Sequence, residues 1–483
     1  MTNDPTTGPS AVRVYRGIRF AEPPVGDLRW QAPVPLAGEP DPRNAFGPAA
    51  PQHLNPLIDL GAGATQSEDC LTLNVWSPES ATSQHPLPVM VWVHGGAYAF
   101  GGARSPSYDG TLLAQDDVVV VTINYRLGAL GWLDLPELGP SNLGLRDVLC
   151  ALGWVREHIG DYGGDPSNVT VFGESAGGGI VTSLLTSPAA AGLFDAAIAE
   201  SSPATTVSSR AMGAEVAERL LEALGATASD LRTVGTDRLV AAAAQVFVSV
   251  PTAHPGHLAW APTIGDDLLS ADPATILAAG KGLAVPLLLG TNRDEAHAFA
   301  HSKSPLLPVG PEGLAALFAE VRDAHPEDAI PDLPHGRRAD LEEATQASFR
   351  MPAVWIAEGH GETAPTHLYR FDHATPMLRV IGLGAAHATE VPYVFGTFGV
   401  HPHDPTLKLG GHAEAIRISA RVRARWTGFA RNRSPEAPGA PEWPAYRRTT
   451  RSSLVIDVHD RVADDLDGPT RTAWGDTVLD VVT

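Results

Sequence analysis

Asn168-Val-Thr-Val-Phe-Gly-Glu-Ser-Ala-Gly-Gly-Gly179 is the stretch on which the fold turns. Residues 169–172 form a short apolar, β-branched run and read as a buried strand. The small residues that follow lead into Ile180-Val-Thr-Ser-Leu-Leu185, which reads as a helix. Between the two lies Gly173-Glu174-Ser175-Ala176-Gly177, a G-x-S-x-G turn. A sharp strand-to-helix reversal pushes its serine into a strained conformation with the hydroxyl exposed. Glycines two residues to either side leave room for the crowded backbone, and the helix start favours developing negative charge. With 48 glycines and 26 serines in the chain, the five-residue pattern alone arises readily by chance. The strand before it and the helix after it single this one out.

The same rhythm extends in both directions. Strands are expected at 12–15, 68–76, 89–93, 118–124, 194–200, 285–289 and 366–371, with a helix at 145–159. Strands alternating with helices over this length imply an α/β fold, a mostly parallel sheet covered on both faces. Residues 209–247 and 305–365 are alanine-rich and helical in pattern, and are expected to be insertions that cap the sheet and shape a pocket. Residues 36–67 carry no period, and 43–67 is expected to be a mobile loop. The arginine-rich stretch 417–431 is expected to be a solvated amphipathic surface helix. No repeat is visible, and residues 1–483 are read as one domain.

Composition narrows the function classes. A chain of 483 residues can bury a large core. A formal charge of −21 argues against nucleic acid or an anionic membrane as partner. Only three lysines occur, so nearly all positive charge is arginine, a bacterial, GC-rich pattern together with the many Ala, Gly and Pro residues. The start, Met1-Thr-Asn-Asp-Pro-Thr, lacks the basic and apolar regions of a signal peptide, and no apolar run is long enough to span a bilayer. Cys70 and Cys150 have no metal-ligand spacing and make no disulfide scaffold. A cytoplasmic setting is expected.

A serine nucleophile needs a base, usually histidine, and the base needs an orienting carboxylate. On a sheet of this kind the acid and then the histidine follow the serine in chain order. The acid is expected just past the strand 285–289, in Gly290-Thr-Asn-Arg-Asp-Glu-Ala-His297, where Asp294 and Glu295 compete. Twelve histidines follow Glu295, and His387 stands out because it lies in a small-residue loop soon after a strand. The oxyanion formed on carbonyl attack needs preorganised N–H donors. Ala176 follows the nucleophile and supplies one; His94-Gly-Gly-Ala97, after the strand 89–93, can supply others.

These residues, taken with several more motifs, resemble the type-B carboxylesterases, the α/β-hydrolases that include cholinesterases, bile-salt-type lipases and bacterial para-nitrobenzyl esterases. The resemblance runs nearly end to end. It includes Tyr15-Arg-Gly-Ile, Pro23-Pro-Val-Gly-Asp-Leu-Arg29, Ser67-Glu-Asp-Cys-Leu-Thr-Leu-Asn74, Asn124-Tyr-Arg126, Gly163-Gly-Asp-Pro-Ser-Asn-Val-Thr170, Val394-Phe-Gly396 and Trp443-Pro-Ala-Tyr446. It implies an α/β-hydrolase fold and a serine carboxylesterase with Ser175, Glu295 and His387 as triad. It also implies oxyanion donors at Gly96, Ala97 and Ala176, supporting residues Glu174, Ser201 and Glu390, and an ion pair of Arg29 with Glu68. The chemistry needs no cofactor and no metal. Phe100, Phe299 and Phe349 are expected to line an apolar gorge. The expected partner is a small-molecule ester, with no nucleic acid and no membrane, and the chain a monomer or weak homodimer. Ala296 replaces the family's usual glycine, Val148 a frequent glutamine, and Cys70 lacks the upstream partner of secreted members. Residues 43–67 have no tryptophan of the choline-binding kind, which argues against a cholinesterase. Lipase, amidase or transesterase activity on the same scaffold, and a non-catalytic cholinesterase-like binding protein, are the alternatives.

Overall fold

The computed structural model describes residues 11–38, 42, 45–55, 58–324, 336–399, 406–476 and 478. Ten strands form one sheet: β1 (Val12–Arg19), β2 (Thr72–Pro78), β3 (Leu87–Val93), β4 (Val119–Ile123), β5 (Gly164–Glu174), β6 (Ala196–Glu200), β7 (Leu287–Asn292), β8 (Thr366–Phe371), β9 (Ser452–Ile456) and β10 (Arg461–Asp464). Their spatial order is β1-β2-β4-β3-β5-β6-β7-β8-β9-β10. The seven strands from β4 to β9 in that order are parallel, and β1, β2 and β10 pair antiparallel at the edges.

The central strands are apolar throughout because both faces are covered. In β3, Val89, Val91 and Val93 belong to one core and Met90 and Trp92 to the other, the period of two that a pleated strand imposes. Among the described residues, eight helices have nine or more residues. They are α1 (Leu143–His158), α2 (Ala176–Thr186), α3 (Arg210–Leu224), α4 (Thr236–Ala253), α5 (Pro311–Ala324), α6 (Arg337–Thr345), α7 (Met351–His360) and α8 (His412–Asn432). Side chains of α1 and α2 fill the Val91 side, and Ile418, Val422, Trp426 and Phe429 of α8 fill the Trp92 side.

The strand order places the site. From β3 the chain moves to β4 on one side, then returns to β5 on the other. Loops leaving the carboxyl ends of β3 and β5 therefore diverge, which opens a crevice. His94–Ala97 follows β3 and Ser175 follows β5, so both lie at that crevice.

Several expectations need correction. The 417–431 segment is not a solvated helix: α8 starts at His412 and one whole face is buried. Arg425 is fully buried, donating to the carbonyls of Pro435 and Pro441 (2.9 Å each) and packing over the Trp443 ring. Its charge is met inside the protein, so arginine content misreports exposure here. β1 runs on to Arg19, and β7 is shifted to Leu287–Asn292. β9 and β10 were not expected. Cys150, in the helical pattern 147–154, reads as a buried thiol but is only partly buried, whereas Cys70 is fully so. Within 43–67, the described residues include a bridge between Ala49 and Gln66 and buried Ala49 and Ala50; residues 43, 44, 56 and 57 lie outside the described residues.

Candidate active site

Ser175 stands at the junction of β5 and α2 with φ 57° and ψ −125°, a conformation that costs a side-chain-bearing residue strain. The surroundings over-determine it. The Ser175 N–H donates to the Glu200 carbonyl (3.0 Å), and the Gly179 N–H returns to the Ser175 carbonyl (2.8 Å). A Cβ on Gly177 would overlap the Val93 carbonyl oxygen, and one on Gly173 would crowd the Val93 and Gly177 backbone. The two glycines of the motif thus let β3, β5 and α2 meet at van der Waals distance.

Three side chains form a relay. His387, between β8 and the short helix Val391–Phe395, has Nε2 2.8 Å from Ser175 Oγ and Nδ1 2.7 Å from Glu295 Oε2. An ionised carboxylate only accepts, so Nδ1 carries the proton and Nε2 is left to accept from the serine hydroxyl. Glu295 follows β7 and is fully buried. Its Oε1 accepts from Ser201 Oγ (2.6 Å) and from the Asn292 N–H (2.7 Å), which fixes the carboxylate plane. The competing Asp294 points elsewhere: it pairs with Arg293 and accepts from the Ala385 N–H (2.9 Å), bracing the loop that carries His387.

Burial would lower the His387 pKa, but the charges of Glu174 and Glu295 and the Glu295 hydrogen bond outweigh it, and the imidazole is raised. Glu174 lies 3.3 Å from His387 Nε2. Burial pushes the Glu174 carboxyl up to about 7 against the pull of His387. Glu390 is pushed up by burial and by neighbouring carboxylates; it takes a hydrogen bond from Asn292 Nδ2 and lies 3.5 Å from Ser201 Oγ.

The turn after β3 is equally constrained. Gly96 has φ 113°, Ala97 49° and Tyr98 57°. The N–H groups of Ala99 and Phe100 both close on the Gly96 carbonyl (3.0 and 2.9 Å), and a Cβ at Gly96 would overlap the Phe100 carbonyl. His94 stacks on Tyr125 at 4.5 Å, and its Nδ1 reaches the Gly95 carbonyl (2.8 Å). Burial lowers the His94 pKa to about 4, so it is a neutral structural histidine. The turn sets Gly96 and Ala97 against Ser175, and all three line one gorge. Ala176 opens α2, whose first N–H groups have no earlier helical carbonyl to meet.

Two spaces adjoin Ser175. One is a gorge of about 500 Å³ lined by His387, Gly96, Phe100, Phe247, Phe299 and Tyr393, among others. The other is a hollow of about 50 Å³ lined by Ala97, Ala176, Leu258, Phe299, Leu306 and Phe349. Phe299 and Phe349 also flank the His387 ring at 5.1 and 4.9 Å. Arg29 and Glu68 pair away from these spaces, with Thr236 donating to the same carboxylate. Sequence reasoning missed Asn292, although it quoted the segment containing it; it also missed Phe247, the last residue of the 209–247 insertion expected to shape a pocket, and Leu258, which lies beyond that insertion.

Comparison with known proteins supplies independent findings. The model of the carboxylesterase family matches residues 2–307 and 316–474. The chain is 36% identical over 473 residues to a para-nitrobenzyl esterase of Bacillus subtilis, covering 95% of this chain and 94% of that protein. A solved para-nitrobenzyl esterase superposes with a TM-score of 0.80 at 35% identity, covering 96% of each chain. A carboxylesterase of Geobacillus stearothermophilus gives 0.79 at 33% identity, again covering 96% of each.

Proposed function

The chain belongs to the carboxylesterase family and is a carboxylic ester hydrolase with an α/β-hydrolase fold; from that premise we propose that Ser175, His387 and Glu295 perform the reaction. The observation that carries this is the unbroken hydrogen-bonded line from Ser175 Oγ through the imidazole to Glu295. Ser175 Oγ attacks the ester carbonyl carbon while His387 Nε2 takes its proton. The carbonyl oxygen gains negative charge and is met by the N–H groups of Gly96, Ala97 and Ala176. The imidazolium gives its proton to the alkoxide as the C–O bond breaks, leaving an acyl-serine. Water, deprotonated by the same nitrogen, attacks next and frees the acid and the serine. Glu295 holds the tautomer and balances the imidazolium charge. Ser201 and Glu390 act through Glu295 and Asn292 by fixing that carboxylate.

The two spaces divide the ester. The leaving alcohol must depart past His387 Nε2, which faces the gorge and not the small hollow. The alcohol therefore occupies the gorge and the acyl group the hollow. With about 50 Å³ available, the acyl group is short. Among the described residues, no helix is long and apolar enough to cross a membrane, and the substrate is a small ester.

The test is hydrolysis of para-nitrophenyl esters from acetate to palmitate, with Ser175→Ala in parallel. The wild type is expected to favour acetate to butyrate, and the variant to lose at least about a thousandfold in kcat. Near-full activity in the variant would refute the serine assignment; a palmitate optimum would refute the acyl placement.

A further inference from the structure

Behind the gorge wall lies a second, smaller space. Phe100 and Phe247 meet edge to face, ring centroids 5.0 Å apart, and both line the gorge. Their far sides line another hollow, floored by Leu127, Leu130, Ala243 and Trp260. That hollow has a volume of only about 30 Å³, space for a water or a methyl group. Its outer end shares Pro51, Gln52, His53 and Val240 with a surface cleft of about 800 Å³ beside Arg29 and Glu68. The three spaces are thus in series, with two phenyl rings as the inner stop.

The outer end is braced by hydrogen bonds and the inner one by ring packing. Gln52 is locked by paired hydrogen bonds with the Gly101 backbone, its Nε2 donating to the carbonyl (2.8 Å) and its Oε1 accepting from the N–H (2.9 Å). Phe247, on α4, meets Phe100 ring to ring and packs against the core beside the hollow. On that helix Leu239, Ala243 and Phe247 follow at intervals of four and share one face. The alanine in the middle of the row is what leaves the hollow empty.

We propose that Phe247, packed on Phe100, is the residue that limits the length of the alcohol chain, and that the hollow behind it is an extension of the alcohol site for linear alkyl groups. This rests on the serine mechanism and the alcohol placement given above. Removing the Phe247 ring joins the gorge to the hollow. Alkyl carbons that would otherwise project along the gorge toward water are then buried among Leu127, Leu130 and Trp260. Each methylene so buried raises kcat/KM about fourfold.

The experiment measures kcat/KM for ethyl, butyl, hexyl and octyl acetates with the wild type, Phe247→Ala, and Phe247→Ala combined with Ala243→Phe. The octyl-to-ethyl ratio is the readout, because it does not depend on the fraction of enzyme folded. It is expected to rise at least about tenfold in Phe247→Ala and to return to the wild-type value when the second substitution refills the hollow. Should the alanine variant fail to fold, Phe247→Leu opens part of the same passage and is expected to give a smaller rise. An unchanged ratio in an enzyme that hydrolyses ethyl acetate overturns this inference alone. A rise that the refilling substitution does not reverse also overturns it, because the chain then lies elsewhere. Failure of the wild type on every acetate removes the mechanism beneath it.

Discussion

Glu174 precedes Ser175, the proposed nucleophile, and faces the same imidazole nitrogen that lies 2.8 Å from the serine hydroxyl. Its position matters because a base must be neutral to act: activity is lost as pH falls through the pKa of His387. A negative Glu174 favours the imidazolium and so raises that pKa. Since the Glu174 carboxyl itself titrates near 7, the acid limb of the wild type is a property of the pair. Glu174→Gln removes the charge and keeps the size. Its kcat/KM profile is expected to fall off at lower pH than the wild type and over a single, sharper step. An acid limb that stays in place would show that Glu174 does not act on His387. At this scale the sequence was informative where the signal was local and silent where it was not. Ser175 was legible because five consecutive residues and their flanks carry the turn. Asp294 and Glu295 were not separable from their residues, since what distinguishes them is direction: one carboxylate braces Ala385 and the other meets the imidazole.

Elements meet at the site with almost no clearance, and the two glycines of the elbow show it. Gly177→Ala places a methyl group on the Val93 carbonyl, so α2 must move away from β3. The expected loss of stability is about 3 kcal/mol, as for other forced overpacking, with esterase activity falling alongside; urea unfolding measures it. On the opposite face, α8 reaches the same sheet through Trp426, whose Nε1–H donates to Glu200 Oε1 at 2.7 Å. Burial pushes the Glu200 carboxyl up to about 8 from an ordinary 4.5. The folded protein then keeps a proton that the unfolded chain has released between those values, and stability falls as pH rises through that window. Glu200→Gln keeps an acceptor for Trp426 and abolishes the titration. Its Tm is expected to exceed that of the wild type at pH 9 and to match it near pH 4. This helix was the element the sequence misrepresented. Its period was readable, but the face that is buried contains Arg425, whose partners are two carbonyls of the segment that follows the helix and the carboxylate of Asp460, which no helical pattern announces. β9, a five-residue strand after an arginine-rich turn, offered too short a run to be distinguished from a loop.

Across the whole molecule, Arg29 is one of several groups that tie the insertion carrying α3 and α4 to the rest of the fold; Trp30 Nε1–H also donates to the Leu231 carbonyl (3.2 Å) and Arg210 pairs with Asp134 (2.6 Å). Arg29 pairs with Glu68 and donates to the carbonyls of Val234 (2.7 Å) and Leu231 (3.3 Å), while Thr236, the first residue of α4, donates to Glu68. The same α4 supplies Phe247 to the gorge, so this tie is among those that seat the gorge wall. Such a long-range arrangement leaves no periodic trace in the sequence; only the ion pair was expected, and only through resemblance. Burial raises the Glu68 pKa, but the hydrogen bonds from Arg29 and Thr236 outweigh it, leaving the carboxyl below its ordinary value. A depressed carboxylate stabilises the fold above its unfolded pKa, and that contribution is lost as pH falls through the folded one. Arg29→Met removes the cation and strands the carboxylate among groups that expect a charge partner, at a cost of about 3 kcal/mol at pH 7. The gap from the wild type is expected to narrow as the pH is lowered and Glu68 takes up a proton in the variant. Adding Glu68→Gln should recover part of the loss at pH 7, because no unpaired charge is then buried. Urea denaturation of the three proteins at neutral and acid pH measures all of this. A gap that is independent of pH would mean that Arg29 works through its two carbonyl bonds alone, and that the α3–α4 layer is seated by hydrogen bonding and packing, with no contribution from the charge of Glu68.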